Sequence, residues 1–183
     1  MYYADCSCMG PIDLKKCEPE KLRFRNINMR NWKQWSPFVI RTMRTVFPRG
    51  LWWTPKNFID SLKDEKHIAR LATIDGKFAG FSFGLYDKVP DEALGKTPKL
   101  KKVIHLYYIF LDRPYLHSGY GYQLLTDFVE KAQSRGYRTL TVFAKRGPSL
   151  KNLQKIGARR MKIFENFYGT GETYTFCAME LAH

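Results

Sequence analysis

The chain has 183 residues, 44% hydrophobic and 26% charged, the composition of one soluble domain long enough to bury its own core. No apolar stretch approaches the roughly 18–20 residues of a membrane span, and MYYADCSCMGPIDLKK lacks the apolar centre of a signal peptide, so the expected location is cytoplasmic. With 31 Lys and Arg against 17 Asp and Glu, the formal charge is +14, which favours anionic partners or cosubstrates.

Residues 1–20 read as a polar tail, and 21–183 as a single domain. LRFRNINM (22–29) alternates apolar and polar residues and predicts a strand. Ser36-Pro37 predicts a helix start, an N-cap followed by proline in the first turn, with Val39, Met43, Val46 and Phe47 on one face. PRG (48–50) ends that helix, and Thr54-Pro55 opens a second short one by the same device. HIARLATI (67–74), a turn at 75–77 and FAGFSFGLYD (78–87) make a hairpin. After the polar loop VPDEALGKTPKL (89–100) comes an apolar strand, VIHLYYIFL (103–111).

The next segment, LHSGYGYQLL (116–125), holds two glycines one residue apart before a helix (121–135) striped by Leu124, Leu125, Phe128, Val129 and Ala132. Glycine weakens a helix unless close backbone approach or an unusual dihedral requires it. Then follow a strand (137–144), a short helix (148–157) and a hairpin of 160–167 with 173–181 around Gly169-Thr170-Gly171. The order β α α β β β α β α β β, with a parallel crossover after the glycine turn, predicts a mixed α/β (α+β) architecture with helices flanking a mostly antiparallel sheet.

Three cysteines (Cys6, Cys8, Cys17) crowd the tail and Cys177 sits in a late strand, so reduced thiols are expected. Cys6-Ser7-Cys8 has too short a spacer for a structural zinc site, and no metal is expected. Positive charge gathers in two blocks without an acid: nine basic residues between Lys21 and Ile59, and seven between Lys145 and Phe164. Such blocks hold cofactor phosphates, nucleic acid or acidic protein, or simply solubilise a surface.

Element order and the Gly119-Tyr120-Gly121 turn together resemble the GNAT acyltransferase superfamily over about residues 20–182. The resemblance implies a fold of about seven strands and four helices, and acetyl-CoA as cosubstrate. Backbone N–H groups leading into a helix N-terminus form an anion cradle. By resemblance, the coenzyme A pyrophosphate approaches Gly119 and Gly121, flanked by Leu116, His117, Ser118, Tyr120 and Tyr122. Leu116 stands where the family's motif has Arg or Gln. Lys145, with Arg146 and Lys151, is a candidate for the 3′-phosphate, and Asn152 for a further cofactor contact. The strand ending at Phe110-Leu111 would splay from its neighbour and offer a backbone N–H to the thioester oxygen.

Aligned on the glycine turn, His105 falls where histone-acetyltransferase-like members carry a glutamate base; a satisfied strand histidine is the other reading. The family's usual tyrosine acid is replaced by Leu153, leaving Tyr168 or water to protonate the thiolate. FPRGLWWTP (47–55) and ENFYGTGETY (165–174) correspond to the walls of the acceptor groove, although Trp52-Trp53 could equally plug the core. The expected activity is acetyl transfer to an amine by direct attack, with a protein N-terminal or lysine amine as acceptor. An RNA-linked or small-molecule amine, ribosome association through the basic faces, and a degenerate binding module are the alternatives.

Overall fold

The computed structural model describes residues 22–86, 89, 100, 102–169 and 171–181. The tail at 1–20 with its three cysteines, and most of the polar loop at 89–100, lie outside the described residues. Seven strands, β1 (Leu22–Asn26), β2 (Ile68–Ile74), β3 (Lys77–Tyr86), β4 (Val103–Leu111), β5 (Thr139–Lys145), β6 (Arg159–Glu165) and β7 (Thr173–Glu180), form one sheet in the order β1-β2-β3-β4-β5-β7-β6. Only β4 and β5 are parallel. Helices α1 (Met29–Val46) and α2 (Pro55–Leu62) cover one face; α3 (Tyr120–Ser134) and α4 (Pro148–Lys155) cover the other. This is the expected GNAT-type architecture.

The first helix starts about two turns before Ser36, which corrects the predicted boundary and cuts the first strand short. Its N-cap is Asn28, whose side chain accepts the N–H groups of Arg30 and Asn31, while Asn31 Oδ1 accepts the Asn28 N–H at 2.9 Å. That reciprocal pair satisfies donors the helix end would otherwise orphan. Pro37 therefore lies inside the helix. It has no N–H for the Lys33 carbonyl; the Ser36 hydroxyl instead donates to that oxygen over a long 3.5 Å. Trp32, Trp35, Val39, Ile40 and Met43 hold α1 against the aromatic centre of the sheet, where the α2 residue Phe58 is fully buried.

On the opposite face, β3 presents small residues to α3. A Cβ on Gly84 would stand 2.4 Å from Phe128 Cζ, and one on Gly80 2.7 Å from a Leu111 methyl. With Ser82 between them, these positions form the trough in which Leu124 and Phe128, both fully buried, lie. Spacing alone would liken Gly80-Phe81-Ser82-Phe83-Gly84 to a nucleophile elbow. Here Ser82 is mid-strand and buried, so the motif serves helix–sheet packing.

β4 changes partners midway. Phe83 pairs with Tyr108 and Gly84 with Leu106, which makes Tyr107 the extra residue of a bulge. On its other edge β4 pairs with β5 only from Val103 to Leu106. Beyond that point the strands diverge, since a bulge increases local twist and turns one strand away from its neighbour.

Candidate active site

The divergence opens a cleft at the C-terminal end of β4. Asp112 N–H donates to Ala79 O at 2.8 Å, and an antiparallel ladder alternates such bonded pairs with unbonded ones. Tyr108 and Phe110 thus direct their backbone groups to β3, and Ile109 and Leu111 direct theirs to the side where β5 has departed. Of the expected pair Phe110-Leu111, it is Leu111 whose N–H faces the opening; Phe110 packs its ring into the core against Phe47 and Phe81.

Immediately after β4, Asp112 caps a single 3-10 turn at Arg113–Tyr115, and Leu116 follows with its side chain 48% exposed. His117 (φ +64°) and Gly119 (φ +82°) both adopt left-handed backbone. Gly119 is the N-cap of α3 and supplies no side-chain cap; the Tyr122 N–H donates to Gly119 O at 3.1 Å, and the Gly121 N–H is left to an outside acceptor. A Cβ at Gly119 would meet nothing within 4 Å, and one at Gly121 only a Leu111 methyl at 3.6 Å. The turn is open where those side chains would stand. Ser118 braces it, donating to Tyr115 O at 2.6 Å and accepting from Tyr120 N at 3.4 Å. Left-handed residues beside a helix N-terminus make a concave anion site whose positive dipole end faces the ligand.

The other proposed cofactor contacts separate. Tyr122 turns away from the cleft, lining a shallow groove of about 270 Å³ with Phe24, Gln123 and Thr126 on the β1 side of α3. Lys145 ends β5 and holds Glu172 at 2.6 Å, so a phosphate there would compete with a carboxylate. Asn152 is half-buried in α4. Leu153 packs in the core at 3% exposure, which explains a leucine at that position by packing.

His105 lies at the closed base of the fork. It faces Thr141 across the parallel β4–β5 pairing, with Nδ1 2.9 Å from Thr141 Oγ1, and is 2% exposed. Burial pushes its pKa down to about 4, so the imidazole is neutral at physiological pH. Its ring contacts Tyr107 and Phe143.

Tyr168 stands nearer the cleft mouth, half-buried, edge-on to Phe143 and Tyr174. Burial raises its pKa, keeping the phenol protonated. The two expected walls of the acceptor groove come together here: a Cβ on Gly50 would stand 3.8 Å from Tyr168 O, and the Tyr108 hydroxyl donates to Leu51 O. The paired tryptophans divide between the two readings of them. Trp53 plugs the core against Phe58, Phe83 and Tyr108. Trp52 is 36% exposed, its indole donating to Phe47 O at 2.7 Å. Sequence reasoning passed over Tyr107, which joins Trp53 to His105; two consecutive tyrosines in an alternating strand were the available sign of a bulge.

A sequence model of the acetyltransferase (GNAT) family matches residues 26–158. The chain belongs to that family. It is accordingly an acyltransferase with acetyl-CoA as cosubstrate. No significant match is found among curated proteins. Among solved structures, the ribosomal-protein-S18-alanine N-acetyltransferase from Escherichia coli is 18% identical, with 89% of this chain and 96% of that one covered and a TM-score of 0.65. NAA60 from Arabidopsis thaliana, solved in complex with acetyl-CoA, is 13% identical over 88% of this chain and 99% of that one, with a TM-score of 0.69. The IAA acetyltransferase from Bacillus cereus is 15% identical over 88% and 100%, with a TM-score of 0.64. At these identities the likeness is one of fold. No described helix is long and apolar enough to cross a membrane.

Proposed function

We propose that this acetyltransferase acts on a peptide amine, an N-terminus or a lysine side chain. The observation that carries the reading is the approach of the 49–51 turn to Tyr168, which brings the groove walls together beside the diverging strands and suits an amine on the end of a thin chain. The protein acceptor in the name of the Escherichia coli neighbour agrees with it.

In this reading the amine nitrogen attacks the thioester carbonyl carbon while the Leu111 N–H, aimed into the opening, donates to the oxygen on which charge develops. The C–S bond then breaks, and the leaving thiolate takes a proton from Tyr168, a phenol that burial keeps protonated at rest and that regains its proton from water. The amine releases its own proton to water. His105 holds the fork closed below the cleft instead of receiving that proton, because an imidazole only 2% exposed and bonded to Thr141 exchanges poorly with the groove.

The test is acetylation of a mixed peptide library with free N-termini, the same library with blocked N-termini, and a panel of small amines, read by mass spectrometry. Modification of one or both peptide pools is expected. Acetylation confined to small amines would overturn the proposal.

A further inference from the structure

The first acid-free block finds no use in the transfer chemistry, yet the fold gathers it onto one face. Ile27 and the apolar side of α1 point into the same core, whereas Phe24 packs on the α3 side. Strand alternation therefore puts the exposed Arg23 and Arg25 on the α1 side of β1. Along the solvent side of α1 lie Arg30, Lys33, Phe38, Arg41 and Arg44, an approximately helical repeat covering ~21 Å from Arg30 to Arg44.

Aromatic rings are interleaved with these cations. Arg41 lies 5.6 Å from the centroid of Phe38, and Arg44 5.8 Å from that of Trp52. Phe38 in turn stacks on Phe78, whose cross-strand row runs through Thr73 to Arg23. Among the described residues, four of the eight exposed large hydrophobic side chains (Met29, Phe38, Val46, Trp52) belong to this block. Among the described residues, Asp112 is the acid paired with the face, 3.8 Å from Arg41. The track thus runs from the sheet edge to the end of β4, beside the acceptor groove.

We propose that this face binds a single-stranded nucleic acid along α1, which would hold an RNA-bound acceptor, or the RNA itself, against the enzyme. Arginine outnumbers lysine here, and the planar guanidinium suits both bidentate phosphate contact and stacking. Exposed rings flanked by cations are the arrangement that single-stranded bases stack on. A membrane surface fits less well, because the continuous apolar stripe of α1 is spent on the protein core and Phe38 and Trp52 stand apart from each other. An acidic polypeptide would satisfy the arginines but leave the rings without a partner. The inference is independent of the acceptor chemistry, since binding is measured without acetyl-CoA.

The experiment is fluorescence anisotropy of the full chain with a labelled RNA of about 15 nucleotides at roughly 50 and 200 mM salt, where counterion release should weaken binding steeply. Replacing Arg23, Arg25, Arg30 and Lys33 together by Gln should weaken binding at least about tenfold and flatten the salt slope. Phe38→Ala should cost about fivefold or more through lost stacking. A control carrying Arg159→Gln, Arg160→Gln and Lys162→Gln on the far edge strand should bind as wild type. No binding at the lower salt overturns the proposal, as does equal weakening in the control. So does displacement of the RNA by polyglutamate or anionic vesicles at matched charge, which would assign the face to acidic protein or lipid.

Discussion

The two halves of β4 are both largely apolar and have opposite duties. From Ile104 to Leu106 the strand is paired on both edges, its His105 bonded across to Thr141 and its Leu106 registered against the crowded Gly84. From Tyr108 to Leu111 it is paired on one edge only, with Tyr168 packed on Phe143 of the departing β5 and the glycine turn following the strand end. The difference comes from one inserted residue in the ladder, and it teaches that an apolar strand can be core along half its length and binding surface along the rest. Changes in the closed half should register in stability, and those around the open half in turnover or cosubstrate binding.

The sharpest way to break that division is Tyr168→Phe. Removing a proton donor from the open half should lower kcat by roughly 10²–10⁴-fold and leave the melting temperature near wild type. Steady-state kinetics beside a thermal melt decides it, and an unchanged kcat would hand thiolate protonation to water.

His105 tests the closed half through pH. Its folded pKa of about 4 lies below the ordinary 6.5, so the unfolded chain binds the proton more readily. The stabilisation is complete above pH 6.5 and is lost as pH falls from there through about 4. On the order of 3 kcal/mol is involved at 1.36 kcal/mol per pKa unit. Denaturant titrations at both ends of that window should show a smaller acid loss in His105→Asn than in wild type. If that substitution instead removes a limb of the pH–rate profile, His105 is the base.

Gly84→Ala should cost about 1–3 kcal/mol, because the new methyl overlaps Phe128 in a packed interface. In a chain of this length that lowers the melting temperature by about 2–4 °C per kcal/mol. Acetyl-CoA affinity should be unchanged, and Phe128→Leu in the same chain should restore part of the loss. The smallest effect on the fold belongs to Gly121→Val, within about 0.5 kcal/mol, since its surroundings are open. The same side chain should obstruct the phosphate path and abolish the thermal stabilisation by acetyl-CoA. Stabilisation of normal size would remove the glycine turn from cosubstrate binding.

How much of this was readable in advance follows from the range of each signal. The β2–β3 hairpin, the apolar stripe of α3 and the turn at 119–121 are local patterns of period or punctuation, and they stand where the sequence puts them. The α1 start is not legible because Ser36-Pro37 is a strong local cue, whereas the cap is an Asn28–Asn31 pair outside the commoner Ser/Thr with Glu/Gln form. Adjacency places Tyr122 with the turn, but a helix sends consecutive side chains about 100° apart, and this one lines a groove with Phe24 of β1.

Element order, basic blocks and the glycine turn are properties of neighbours in the chain, and the sequence by itself determined them together with the family they indicate. The tertiary structure alone decided that Tyr107 is the extra residue in the ladder, that His105 is sealed against Thr141, and that Lys145 meets Glu172. It also decided that Arg23 and Arg44 share one face. Each of these depends on strand register or on which surfaces are brought together across the sheet. Register is set by cooperative packing between residues distant in sequence, and a one-dimensional pattern carries no measure of it.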